Sequence, residues 1–235
     1  QSLYTNIYFV LAELIANAYD ANASNVYIIE KDNAIVVEDD GAGMSYREGD
    51  IEKYLNVAIE TRTTTDDVYT AGGARRRMGR KGVGKLAALS VSENVQIMTK
   101  KNNEQSGFVL SRHVNQDCKL DPLNETDIHF ERIRGAPNGT SVVMTNPQYG
   151  LHKSATAIKN NLLKIFPMVD SSFKIHINAG REIITIDSFD KEMIKGLGAL
   201  IVLGTDYHYL TKYFNPEFVD VNNTQRKKEL LKDED

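Results

Sequence analysis

The sequence predicts an α/β fold in two layers, a mixed and mostly antiparallel sheet with helices on one face. Apolar residues recur at helical spacing in some segments and β-rich runs fill others, interleaved along the chain. Several neighbouring strands are joined by turns too short for a parallel crossover, which excludes an all-parallel sheet. With 41% hydrophobic and 26% charged residues, 235 residues and only five prolines, the composition is that of a globular chain able to bury a core.

The elements follow in order. Leu3, Ile7, Leu11, Leu14, Ile15 and Ala18 stripe one face of a helix predicted over Leu3 to Ala21. Val26 to Glu30 and Ala34 to Asp39 form a hairpin about Lys31-Asp32-Asn33, and a tight turn at Asp40-Gly41-Ala42-Gly43 leads to a second helix carrying Ile51, Tyr54, Leu55, Ala58 and Ile59. Glu60 to Lys81, rich in Thr, Gly and Arg, has no apolar period and suits either a lid or a disordered loop. Val83 to Ser90 reads as a short buried helix. Asn94 to Lys100, Gly107 to Ser111, Asp127 to Ile133 and Thr140 to Thr145 read as strands. A helix from His152 to Phe166 precedes two last strands, Ser172 to Asn178 and Glu182 to Ile186. No repeat of 20 to 50 residues is found.

Composition also narrows the function. The net charge of −4 argues against a protein that coats nucleic acid with its whole surface, and the most apolar stretch, Gly196 to Gly204, is far short of the roughly 20 residues a spanning helix needs. No membrane partner is expected. A single cysteine, Cys118, excludes an internal disulfide and favours a reducing, cytoplasmic setting; no charged and apolar leader pattern is visible at the start, so no signal peptide is expected.

Four groups of residues have chemistry to offer. Glu13, Asn17 and Asp20, at i, i+4 and i+7, share one helix face; they are either its solvated side or a base with a metal or polar anchor. Asp39 through Met44 sits at a strand end, where glycines let the backbone approach a flat ligand and a carboxylate can accept from an exocyclic amine; an ordinary turn explains the pattern equally well. Gly79-Arg80-Lys81-Gly82-Val83-Gly84-Lys85 satisfies the start of a P-loop, but Leu86 stands where a magnesium-holding Ser or Thr belongs and no strand precedes it. The same segment imitates a dinucleotide fingerprint without the required βαβ unit. What remains is an anion site, with glycine amides at a helix start and Lys85 beside them. Asn138-Gly139-Thr140, on its own, is a turn before a strand.

Other features lead elsewhere. The cluster Arg75-Arg76-Arg77 with Arg80 and Lys81 suits nucleic-acid phosphate, a bound polyphosphate or plain solvation. The five histidines show no metal-binding spacing, and no Gly-x-Ser-x-Gly supports nucleophilic catalysis.

Taken in order, Glu-x-x-x-Asn-x-x-Asp on an opening helix, Asp-x-Gly-x-Gly at a strand end, a lid, Gly-x-Gly before a helix and Gly-Thr before a strand resemble the GHKL superfamily of gyrase, heat-shock chaperone, histidine kinases and MutL. The resemblance covers Leu3 to about Thr145 and extends to about Asp187, leaving 188–235 as a C-terminal extension that suits the start of a second domain. It implies a Bergerat-type sandwich binding ATP with Mg2+ under a mobile lid. By the same resemblance Asn17 holds magnesium, Glu13 activates water and Asp39 reads the adenine amine. Gly41, Gly43 and Met44 line the adenine side, and Thr140 supports the Asp39 contact. Gly79, Gly82, Val83, Gly84 and Lys85 form the phosphate-facing hinge of the lid, while Asp20 has a structural role.

Histidine kinases of this superfamily generally lack the base that Glu13 matches, so the resemblance favours hydrolysis. The alternatives are a GHKL-type protein kinase and a nucleotide-sensing interaction module without useful hydrolysis. Hydrolytic members commonly dimerise on ATP binding and complete the site with a lysine from a second domain; no lysine of this chain can be assigned to that role. The expected partners are ATP, a second copy of the chain, and a nucleic-acid or protein client engaged through further domains.

Overall fold

The computed structural model describes residues 6–55, 70, 75, 84–112, 121–166, 172–179 and 182–187, with the side chains of 84–86 outside that description. All described residues belong to one compact unit, Gln1–Asp187.

Helix α1 (Ile7–Asp20) begins at Asn6, whose side chain accepts from the Tyr8 amide at 3.0 Å. It ends where Asn22 enters the left-handed region (φ 59°), with Asn22 N bonded to Tyr19 O and Ala23 N to Ala18 O, a Schellman termination that uses Asn for Gly. The predicted start at Leu3 lies outside the described residues. Strands β1 (Asn25–Lys31) and β2 (Ala34–Asp39) pair antiparallel about Asp32-Asn33, both at positive φ, as a two-residue hairpin turn demands. Helix α2 (Asp50–Leu55) follows; Ala58 and Ile59, predicted for its apolar face, lie outside the described residues, as does the predicted lid apart from Thr70 and Arg75.

A 3-10 helix, η1 (Gly84–Ser90), stands where a short helix was predicted. Strands β3 (Asn94–Lys101) and β4 (Glu104–Ser111) form a second hairpin, turning on Asn102-Asn103, again both at positive φ. Then come the two-residue β5 (Asp121–Pro122), a single 3-10 turn η2 (Glu125–Asp127), β6 (Gly139–Thr145), helix α3 (Ala155–Ile165), β7 (Lys174–Ala179) and β8 (Glu182–Ile186).

The eight strands form one sheet in the order β5-β4-β3-β6-β2-β1-β7-β8, antiparallel throughout except for β1 with β7. Helix α1 packs against both η1 and α3, with α3 also against β7 and β8, and α1 against β2. Val10, Leu11 and Ile15 of α1, Ile28 and Ile35 of the first hairpin, Ile97, Met144, and Ile158 and Leu162 of α3 are all essentially sealed from solvent. A mixed, mostly antiparallel sheet covered by helices is the predicted fold class.

The predicted strand Asp127 to Ile133 is not a strand. Its spaced apolar residues Ile128, Phe130 and Ile133 bury against Met98 from the far side of the sheet. The backbone amides of Glu131, Arg132 and Ile133 donate to the buried carboxylate of Glu38, at 2.8, 2.7 and 3.4 Å, instead of to a neighbouring strand. A side chain has replaced the ladder partner that the apolar spacing suggested.

Candidate active site

The pleat of β2 sends Glu38 and Asp39 to opposite faces of the sheet. Glu38 turns to the far side. Asp39, directly opposite Thr140 on β6, turns toward the helices, and Thr140 is in turn opposite Thr99 on β3. Thr99 Oγ1 lies 3.4 Å from Thr140 Oγ1, 3.2 Å from Gly139 O, and accepts from the Met44 amide at 2.8 Å. Asp40, just past the strand, is committed elsewhere: it accepts from the amides of Ser24 and Asn25 and from the Asn25 side chain, all within 2.8 Å, and so holds the end of α1 and the start of β1 against β2.

Glycines let the backbone close in around Asp39. Gly41 N donates to Asp39 Oδ1 at 2.9 Å, and a Cβ on Gly41 would lie 2.8 Å from the Ala21 methyl. Gly43, at φ +66°, fits under the carbonyl of Lys100, where any Cβ would overlap it.

Together these elements enclose a cavity of about 420 Å³. Val37, Asp39, Thr140 and Val142 form its floor on two adjacent strands. Leu14, Asn17, Asp20 and Ala21 supply the α1 wall; Gly43 and Met44, with Asp50, Lys53 and Tyr54 of α2, close the remaining side. Of the predicted residues, Asn17, Asp39, Gly43, Met44 and Thr140 meet here. Gly41 does not line the cavity but braces Asp39. Glu13, half-buried one helical turn before Asn17, is not among the lining residues, and Asp20, expected to be structural, is.

Gly84 opens η1, which packs against α1, so the glycine-rich segment ends beside the helix that carries Asn17. The Lys85 side chain and all of Gly79, Gly82 and Val83 lie outside the described residues. Beyond Leu14 and Ala21 of α1, five lining residues were not foreseen as site residues: Asp50, Lys53, Tyr54, Val37 and Val142. No signal at the level of spacing marks them, since a six-residue helix and a strand register bring them in. The same is true of Thr99.

Three carboxylates, Asp20, Asp39 and Asp50, and one amine, Lys53, line the site. Burial raises the Asp39 carboxyl from 3.8 to about 7, helped by the neighbouring charges of Asp40 and Glu38 and opposed by the Gly41 amide. Such a group gains from a donor placed opposite it. Burial alone raises the Tyr54 hydroxyl above its ordinary value. Asn17 and Asp20 offer the cavity one amide oxygen and one carboxylate. That hard oxygen pair fits Mg2+, which takes few protein ligands and completes its shell with water and phosphate oxygens.

Comparison with known proteins agrees with this architecture. Over 221 residues the chain is 25% identical to HgiDII of Herpetosiphon aurantiacus, which is named for a type II restriction enzyme, covering 91% of this chain and 34% of that protein. It is 25% identical over 170 residues to the DNA mismatch repair protein MutL of Christiangramia forsetii (68% and 24%), and 26% identical over 168 residues to the chaperone protein HtpG of Mycobacterium bovis (61% and 24%). The chain thus spans about a third of the length of the first of these relatives and about a quarter of the other two. Residues 4–140, which include α1, the Asp39 loop and Thr140, match the profile of one family, and the chain belongs to it: the histidine kinase-, DNA gyrase B- and HSP90-like ATPases.

Proposed function

We propose that this chain is the Mg-dependent ATP-binding and ATP-hydrolysing domain of a larger protein, in which bound nucleotide draws a lid over the site and promotes pairing of two copies. The observation that carries the reading is one cavity shared by Asn17 of α1, Asp39 and Thr140 of the sheet, and the Gly43-Met44 loop. Adenine enters with its amine toward Asp39, and the triphosphate runs along α1 toward the start of η1. Asn17, with Asp20 near it, would hold the metal, which supplies charge neutralisation on the phosphate oxygens.

Glu13 takes a proton from a water directed at the γ-phosphorus. The new bond forms from that water, the bond to the ADP oxygen breaks, and ADP and inorganic phosphate leave. The amides of the Gly79–Gly84 segment and the Lys85 charge stabilise the negative charge that develops. Glu60 to Lys81 form the lid in this reading, and 188–235 begin the domain that transmits its closure. The names of two relatives, for restriction and for mismatch repair, favour a DNA client.

The test is a pair of variants assayed by ATP titration and phosphate release. Glu13→Ala is expected to keep ATP affinity within about twofold and to lose turnover by about 100-fold or more. Asn17→Ala is expected to lose the magnesium-dependent part of binding. Full turnover by Glu13→Ala would remove it as the base, and transfer of labelled phosphate to protein would assign the kinase reaction instead.

A further inference from the structure

Strand β3 contributes no residue to the cavity lining, yet it holds the loop that does. Thr99 and Lys101, two apart on β3, share the face that meets the Gly43–Asp50 loop. Thr99 Oγ1 takes the Met44 amide, and Lys101 Nζ donates to Glu48 Oε2 at 2.6 Å and to Asp50 Oδ2 at 2.7 Å. The loop is also closed on itself. Ser45 N donates to Asp50 Oδ2 at 3.1 Å, Asp50 N to Ser45 O at 3.0 Å and Glu48 N to Ser45 Oγ at 3.2 Å, with the Ser45 side chain buried.

Asp50 is the joint of this arrangement. One of its oxygens receives both Lys101 and Ser45, the residue lines the cavity, and it opens α2, which brings Lys53 and Tyr54 to the same wall. Both ends of the pair are only about a quarter exposed. The charges answer each other: Lys101 holds the Asp50 carboxyl below its ordinary value, and Asp50, with Glu48, raises Lys101. Glu48, more than half exposed, is the weaker partner.

From this arrangement we propose that Lys101 is a positioning residue for nucleotide binding, acting through Asp50 to fix the base-side wall of the cavity. The proposal rests on the ATP-binding reading above. Lys101 lies behind the wall that faces the base, so its loss weakens every adenosine ligand by the same factor. A lysine that attracted phosphate directly would weaken ATP far more than adenosine.

The test measures Kd for ATP, ADP and adenosine with the full chain and with Lys101→Met, Lys101→Arg, Asp50→Asn and the Lys101→Met/Asp50→Asn double variant, alongside unliganded melting temperatures. Lys101→Met is expected to raise all three Kd values about three- to fivefold, the scale of a partly exposed ion pair. Lys101→Arg is expected to restore them, and the double variant to be no worse than the poorer single one. If Lys101→Met does not fold, Asp50→Asn against Lys101→Arg carries the same comparison. Unchanged affinities, a loss confined to ATP, or single effects that multiply in the double variant would each overturn the proposal. Failure of the unmodified chain to bind any adenine nucleotide would overturn the ATP reading itself, a different result from binding that ignores Lys101.

Discussion

Three consecutive carboxylates, Glu38, Asp39 and Asp40, do three different things because a strand alternates its faces and then ends. Glu38 collects three backbone amides on the far side, Asp40 collects three donors from the start of β1, and Asp39 meets one amide and the cavity. Asp39 alone is left under-satisfied, which is why burial lifts it to about 7. An unfolded chain loses that proton near 3.8, so between about pH 4 and pH 7 the folded state binds more protons and its unliganded stability falls as pH rises. Replacing Asp39 with Asn should abolish that slope, raise unliganded stability at pH 8 by about 1–2 kcal/mol and weaken ATP binding, a trade of function for stability read by denaturant titration. An amine donor favours the ionised carboxylate. ATP binding below pH 7 should therefore expel a proton, and affinity should decline from pH 8 to pH 6. Calorimetry in two buffers of different ionisation enthalpy checks this, and no difference between the buffers would remove Asp39 as the amine's acceptor.

At the scale of elements, the segment 125–136 acts as a strap behind the site. Met98, Ile128, Phe130 and Ile133 make a second small core on the far face of the sheet, and Lys100 lies over the Phe130 ring at 4.7 Å while donating to Arg134 O at 2.9 Å. Burial lowers the Lys100 amine and the Glu38 charge opposes that shift, so the strap traps two opposite charges with their hydrogen bonds made. Removing the carboxylate leaves three amides without their acceptor. Glu38→Ala is thus expected to cost about 3 kcal/mol in urea unfolding and to accelerate hydrogen exchange at 131–133 specifically. Unaltered exchange there would show that the strap is held by its apolar residues alone. Spaced apolar residues made this strap resemble a strand, because apolar spacing records which side chains are buried and says nothing of what receives the backbone amides. The β3–β4 hairpin is the opposite case, since Asn102-Asn103 is the turn chemistry a two-residue loop requires and is legible locally.

For the whole molecule, the described fold lies within Gln1–Asp187, and the chain matches only part of each relative's length. We expect a chain ending at Asp187 to unfold in one cooperative transition within about 5 °C of the parent and to keep its ATP affinity. A noncooperative melt would place part of 188–235 in the same core.

The sequence by itself determined which local pieces exist: an opening helix bearing Asn17, an acidic strand end followed by glycines, and a Gly-Thr strand start. Each is written in contiguous residues whose propensities and periods act over a few positions. Only the tertiary structure decided that Asp39, Thr140 and Thr99 stand in one row, that Asp20, Asp50, Lys53 and Tyr54 share the cavity, and that Lys101 sets its wall. Those meetings depend on strand register and chain crossing between segments tens of residues apart, which the burial of a common core fixes and no local pattern encodes.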